Sequence, residues 1–223
     1  MYKNFDAIDF HTLPQSFVIK TNHDCGGIVI VEDKKSFLKD EARLKSAKEK
    51  IEKHLQTNYY SLYREWHYKD IEPRVFVEEL LLKEKPQNSD QSTTNTSPEV
   101  PDDYKFHCFG KQTFIQIDTD RFTNHTRTIF NEKWEKQPFI FGYPTPDYTP
   151  QKPQNLNTML AIAQKLSEKM EVGYVRVDLY EVNCADSSQN PVIVGELTFT
   201  HGGGTEHFNP PEWDKNFGDL WKL

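Results

Sequence analysis

The chain has 223 residues, with 27 Lys and Arg against 34 Asp and Glu, a net charge of -7 and 36% hydrophobic residues. Its pI near 5.6 and mean hydropathy of -0.77 argue against non-specific nucleic-acid binding, which needs a basic face, and no apolar run approaches the ~20 residues of a membrane span. Residues 1–6 lack the apolar core of a signal peptide, and Cys25, Cys108 and Cys184 are widely spaced and odd in number, so the chain reads as a soluble cytoplasmic protein with no disulfide framework or zinc site.

In chain order, residues 16–20 read as a short strand ending in the cation Lys20. Residues 21–27 form a polar loop closing on Gly26 and Gly27, and 28–31 (Ile-Val-Ile-Val) are the returning strand. From 40 to about 55 the spacing of Leu44, Ala47, Ile51 and Leu55 predicts a helix. A strand over 74–78 follows Pro73 and runs into Glu79. Residues 86–101 are low in complexity, rich in Gln, Asn, Ser, Thr, Asp and Pro, and cannot bury enough surface to offset ordering, so a flexible loop is expected there.

Two strands over 104–109 and 113–117 are joined by a Gly110-Lys111 turn. Residues 139–153, rich in Pro, Gly and Tyr, predict a long irregular connection. A helix over 156–170 is expected to bury Met159, Ile162, Leu166 and Met170, and Trp213, Phe217, Leu220 and Trp221 form a tail that packs back or ends as a short helix. The uneven alternation of strands and helices, with several hairpins, predicts an α+β fold of mainly antiparallel sheet.

Near the C-terminus two apolar strands each carry one acid: Asp178 within 174–180 and Glu196 within 192–200, the second followed by Gly202-Gly203-Gly204. A buried carboxylate needs a cation or a donor, and two acids on neighbouring strands can share Mg²⁺, which prefers oxygen ligands and accompanies phosphates. Arg176 and Thr198 lie two residues from Asp178 and Glu196, so each side chain shares its acid's face of the sheet. Without metal the two acids repel, so neutralising either is expected to leave the fold intact or firmer; a structural Arg176–Asp178 ion pair predicts the reverse for Asp178→Asn.

The order strand-Lys, Gly loop, helix, strand-Glu, strand pair, helix, strand-Asp, strand-Glu-x-Thr, Gly run resembles the ATP-grasp fold, and more specifically the TupA-like ATP-grasp family associated with teichuronopeptide and capsular polysaccharide synthesis. The resemblance rests on residues 13–20 (LPQSFVIK), 22–27 (NHDCGG), 103–110 (DYKFHCFG), Asp120-Arg121, 176–180 (RVDLY) and 195–199 (GELTF). Three departures stand out. Family members usually carry several dozen more residues at the N-terminus, which implies a first lobe that is short or missing here. Cys25 stands where serine is frequent, and His201 stands where a proline usually precedes the glycines.

The resemblance implies two lobes: a nucleotide-binding lobe over about 13–80 and a catalytic lobe over about 102–223, with the flexible 86–101 loop between them. It implies that Lys20 neutralises a phosphate and that Asn22, His23, Gly26 and Gly27 form the loop over the phosphates. Glu78 and Glu79 close a hinge strand that reads the adenine and ribose, and Asp103 accepts from a ribose hydroxyl. Lys105 and Arg121 face the cleft towards anions, Arg176 holds the γ-phosphate, and Asp178, Glu196 and Thr198 hold Mg²⁺. Each has a plainer alternative: a solvated strand-end charge for Lys20, Glu78, Glu79 and Asp103, an exposed sheet face for Lys105 and Arg121, a hairpin turn for the glycines, a solvated or hydrogen-bonded histidine for His23, a packed strand residue for Thr198, and an ion pair for Arg176 with Asp178.

The expected function is an ATP- and Mg²⁺-dependent carboxylate–amine or carboxylate–thiol ligase, working through an acylphosphate in cell-surface polymer synthesis. Its expected partner is a small-molecule or cell-wall-precursor substrate carrying carboxylate and amine groups, with a separate N-terminal lobe or an oligomer partner as the source of what the short start lacks. Two alternatives stay open. One is a glycosyltransferase that uses the Asp118-Thr119-Asp120 motif at the end of an apolar strand. The other is a degenerate ATP-grasp protein that binds nucleotide without turnover.

Overall fold

The computed structural model describes residues 1–81, 101–120, 123–182 and 191–222. The predicted flexible loop therefore lies, apart from Pro101, outside the described residues, as do Arg121 and Cys184. The described chain forms two compact units, one from Met1–Leu81 and the other from the residues after 100.

The first unit is built from β1 (Phe17–Thr21), β2 (Ile28–Val31), α1 (Lys34–Lys39), α2 (Glu41–Leu55), α3 (Tyr59–Tyr63) and β3 (Val75–Glu79). Its strands form an antiparallel sheet in the order β2-β1-β3. Helix α2 starts where Asp40 accepts a hydrogen bond from the Arg43 N–H at 3.0 Å, a cap contributing about 1 kcal/mol. Of its predicted apolar stripe, Ala47 and Ile51 are buried against Phe5, Phe17, Ile19, Val31, Phe37 and Val75, with Leu44 and Leu55 at the edge.

The second unit contains β4 (Asp103–Phe109), β5 (Gln112–Thr119), β6 (Thr126–Asn131), β7 (Ile140–Phe141), α4 (Leu156–Met170), β8 (Val175–Glu181), β9 (Val192–Thr198), β10 (Phe208–Asn209) and α5 (Glu212–Leu220). Its main sheet is antiparallel throughout, in the order β6-β5-β4-β8-β9. Strands β6 and β7 were not legible as such: β6 is a short β-branched run, and β7 sits inside the predicted irregular connection.

One face of this sheet is apolar. Phe106, Cys108, Ile115, Ile117, Val175, Val177 and Leu179 pack there against Leu156, Met159 and Ala163 of α4. The helix has the predicted bounds but a rotated stripe, for it buries Leu156, Met159, Ala163 and Ser167, while Ile162 and Leu166 flank the core and Met170 is exposed. Small side chains at 163 and 167 fit this buried stripe, a choice that apolar periodicity alone cannot show.

The opposite face changes character along the strands. At one end Phe109, Phe114 and Tyr174 join Phe139, Phe141 and Phe217 of α5 in an aromatic cluster. At the other end the same alternation sets Lys105, Gln116, Asp118 and Asp178 on this face.

Strand β9 reaches this polar face through a bulge. Leu179 pairs with Val194 but Asp178 pairs with Glu196, so Gly195 is an extra residue and the facing of β9 reverses there. Val192 and Leu197 consequently both meet the α4 core, while Glu196 and Thr198 lie with Asp178 and Arg176. A Cβ at Gly195 would sit 2.4 Å from the Tyr180 ring. Gly195→Ala is therefore expected to destabilise the protein by about 1–3 kcal/mol, the usual cost of overpacking, read as a lower urea midpoint.

Candidate functional site

The strand register assembles the candidate site of the second unit. Lys105 lies opposite Gln116 on one side and Asp178 on the other, Asp178 lies opposite Glu196, and Arg176 lies opposite Thr198. Asp178 is 2% exposed, and its carboxylate is held from two sides. Arg176 donates to both oxygens through Nε (2.7 Å) and Nη2 (2.8 Å), and the Lys105 Nζ donates to Oδ2 at 2.7 Å. Lys105 also bonds Asp103, and Arg176 Nη2 lies 3.0 Å from the Thr198 hydroxyl. Burial works against the charge on Arg176, but Asp178 outweighs it and the guanidinium is held ionised, with Glu196 adding to the effect. Glu196 itself is exposed.

A second polar network fills the middle of the same face as a continuous hydrogen-bonded chain. The Tyr174 hydroxyl joins His201 Nδ1 (2.7 Å) to His107 Nδ1 (2.9 Å), His107 Nε2 meets Gln116 Oε1 at 2.9 Å, and Gln116 donates to Asp118 at 2.9 Å. Asp118 accepts from Arg127 Nε at 2.6 Å, and Arg127 Nη1 donates to Glu206 at 2.6 Å. The Glu206 side chain lies against Gly202, next to His201. Donor logic assigns the tautomers: the Gln116 amide points its N–H to Asp118, so His107 donates from Nε2 and accepts at Nδ1, and Tyr174 accepts from His201. Arg127 also lies 4.9 Å from the Tyr143 ring centre and 5.4 Å from that of Phe141.

Burial lowers the pKa of His107 well below the ordinary imidazole value and brings His201 down to about 4, with Arg176 and Arg127 acting in the same direction. Burial raises the pKa of Asp118, but the Arg127 hydrogen bond and charge outweigh it and the carboxyl titrates below its ordinary range.

In the first unit, Lys20 ion-pairs with Glu78 across β1 and β3, its Nζ 6.0 Å from the Phe76 ring centre. Glu79 is exposed, opposite Phe17. Asn22 bridges to the 72–74 segment, and His23 is buried with Nε2 3.2 Å from the Thr57 carbonyl oxygen. His23 thus faces the interior of its unit. Cys25 and Gly26 are the exposed tip of the loop.

A family model described as TupA-like ATPgrasp matches residues 1–222. The chain belongs to the TupA-like ATP-grasp family. No curated protein and no solved structure matches it. The mixed helix and antiparallel sheet is consistent with the ATP-grasp fold, and among the described residues no helix is long and apolar enough to cross a membrane.

The donor set suits the group that ATP-grasp proteins generally use. Glu196 and Thr198 offer oxygen, as Mg²⁺ prefers; both Asp178 oxygens are engaged by Arg176 and Lys105, so Asp178 would ligate only by sharing or releasing one of these contacts, which would turn their charge towards phosphate. Among the described residues no three His, Cys, Asp or Glu side chains converge as a metal cage. That is compatible with Mg²⁺, which is usually held by one or two carboxylates, with water and substrate phosphates completing its shell. Asp118, which the glycosyltransferase reading needs as a ligand, is bound to Arg127 and Gln116, while Asp120 lies beyond β5 in a left-handed conformation and accepts from the Tyr148 hydroxyl at 3.3 Å.

Sequence reasoning missed Arg127, Glu206 and the His107–Tyr174–His201 relay. The available signal was polar residues at alternate positions of otherwise apolar strands, His107 in β4 and Gln116 and Asp118 in β5. Arg127 was hidden because β6 went unrecognised.

The geometry also corrects the stability expectation for Asp178. Its environment is dominated by two cations and not by repulsion from Glu196, so Asp178→Asn leaves buried positive charge uncompensated. We expect it to cost about 3 kcal/mol, whereas Glu196→Gln, at an exposed position where solvent screens its attraction to Arg176, costs about 1 kcal/mol or less; urea unfolding of both variants checks this.

His107 and His201 are neutral in the folded protein, whereas an unfolded imidazole takes up a proton near 6.5. The unfolded state therefore binds more protons as pH falls from 6.5 towards 4, and stability falls with it. From His201 alone the loss between pH 7 and pH 4.5 is about 2.5 kcal/mol. His201→Gln should flatten the decline in urea-derived stability over this range.

Proposed function

We propose that the protein is an ATP- and Mg²⁺-dependent ligase that joins a carboxylate to an amine or thiol in the synthesis of a cell-surface polysaccharide or teichuronopeptide, acting in the cytoplasm. The observation that carries this reading is the row Lys105–Asp178–Glu196 with Arg176 and Thr198, set by strand register on one sheet face in a chain of the ATP-grasp family. We assign residues from about 13 to 80 to nucleotide binding and those from about 102 to 223 to the catalytic lobe.

Asp178 and Glu196, with Thr198 directly or through water, would hold Mg²⁺, which when bound neutralises phosphate charge and aligns the phosphates for transfer. The residues of the chain supply the rest. Arg176, already ionised and fixed by Asp178, offers its guanidinium to the transferring phosphoryl group, where preformed charge lowers the barrier without reorganisation. Lys105 holds the Asp178 carboxylate and contributes a second positive charge on the same face. Lys20 supplies a point charge to the phosphates, the 22–27 loop covers them, and Glu78, Glu79 and Asp103 read the adenine and ribose. Arg121, outside the described residues, is assigned by family resemblance to the anionic substrate. No side-chain nucleophile is required, because the substrate carboxylate attacks the γ-phosphorus of ATP and displaces ADP, and the amine or thiol then attacks the acyl carbon of the acylphosphate, losing its proton as phosphate departs.

Thermal melts with a non-hydrolysable ATP analogue, with and without Mg²⁺, test the reading. We expect Mg²⁺-dependent stabilisation that follows mass action, lost in a folded Glu196→Gln when referred to that variant's own apo melt, together with loss of ATP turnover in that variant. Stabilisation by UDP-glucose but not by the ATP analogue would overturn the ligase reading in favour of a transferase. Tight ATP binding without turnover in any carboxylate–amine mixture would leave a nucleotide-binding protein.

A further inference from the structure

The loop between β1 and β2 is fastened far more firmly than a hairpin connection requires. Asn22 donates its amide N–H to the Glu72 carbonyl (3.1 Å) and accepts from the Arg74 N–H (2.7 Å). His23 is anchored on Thr57. Asp24 is buried to 1% side-chain exposure, one oxygen accepting the Thr21 hydroxyl proton and the other bonded to His54 Nδ1 in the last turn of α2. On the returning side the Thr21 N–H reaches the Gly27 carbonyl at 3.0 Å and the Ile28 N–H reaches that of Gly26 at 2.8 Å.

Gly27 completes the arrangement by having no side chain. A Cβ there would lie 2.0 Å from Thr21 Oγ1 and 3.0 Å from both Asp24 Oδ1 and His54 Cβ. The Thr21–Asp24–His54 cluster thus occupies the space that any other residue would fill. Both ends of the loop are locked, while Cys25 and Gly26 at its tip are exposed, Cys25 lying beside Tyr59, and Gly26 holds φ at 101°. Fixing a loop before its ligand arrives reduces the entropy lost on binding, and the tip follows directly on the strand that carries Lys20.

We propose that Asp24 and His54 are positioning residues that set the 22–27 backbone for the phosphates of ATP. The proposal deepens the nucleotide-binding reading above and rests on it. Neither side chain needs to touch nucleotide: His54 fixes Asp24, Asp24 fixes Thr21 and the space beside Gly27, and the loop tip is placed as a consequence. The contribution is therefore specific to the phosphate end of the ligand and absent for adenosine, which carries none.

The experiment uses the full chain as wild type, Asp24→Asn, His54→Phe and His54→Asn, the last returning an amide N–H near the position of Nδ1. Hydrogen exchange of the 22–27 amides is followed without nucleotide, and calorimetry measures affinity for Mg·AMP-PNP and for adenosine. We expect faster exchange across the loop and a roughly ten- to hundredfold loss of AMP-PNP affinity in Asp24→Asn and His54→Phe, the scale on which small misplacements of binding groups act. Adenosine affinity should be unchanged, and His54→Asn should recover most of the loss. Asp24→Asn keeps the side-chain shape and carries the test if His54→Phe does not fold.

Unchanged loop exchange, or equal losses for AMP-PNP and adenosine, overturns the proposal. Wild type that binds AMP-PNP alongside variants that bind it equally well removes this inference and leaves the ATP reading standing. Wild type that binds neither ligand removes the ATP reading and this inference with it.

Discussion

The second unit depends on one buried carboxylate. Asp178 is nearly inaccessible to water, on a face where an unpaired charge would cost several kcal/mol, and it is stabilised by Arg176 on its own strand and Lys105 on the next. Each cation in turn reaches a further group, Thr198 or Asp103. Buried pairs of this kind add little net stability over an apolar core, but breaking one is expensive. The arrangement therefore fixes conformations more than it strengthens the fold. A face held in this way keeps its paired cations and acids in a set geometry.

The same face shows how a sheet can be both core and site. α4 covers one side with aliphatic contacts, and the other side passes from aromatic packing around Phe114 and Phe217 through the His107–Gln116 layer to the charged row. The middle layer is polar and linked by hydrogen bonds from Tyr174 to Glu206, so it separates the oily end from the ionic end with most of its buried polar atoms paired.

Much of this was legible in the sequence. Strand and helix positions followed from period-2 and period-3.6 patterns, and the chain order of Lys20, the glycine loop, Asp178 and Glu196 was enough to suggest the family. Placing Glu196 and Thr198 on one face needed only their spacing. What could not be read was anything set by tertiary contact. The bulge at Gly195 looks like an ordinary strand glycine until Tyr180 is seen over it, and the inward turn of His23 depends on the Thr57 carbonyl. The network through Arg127 and Glu206 joins residues 79 positions apart, and its strand β6 carries too short a pattern to stand out. The α4 stripe was misjudged because Ala163 and Ser167 are buried for their size, a property of the packing and not of hydrophobicity.

The histidine–tyrosine relay bears on how such chains diverge. His201 ends the relay by donating to Tyr174, at the position where resemblance to the family leads one to expect proline. A proline side chain has no donor, so a relative carrying it must supply the Tyr174 hydroxyl with another partner or dispense with that hydroxyl. Positions 107, 116, 174 and 201 should accordingly vary as a set across the family, with His201 accompanied by the tyrosine and the buried histidine, and proline accompanied by a different filling of the same layer.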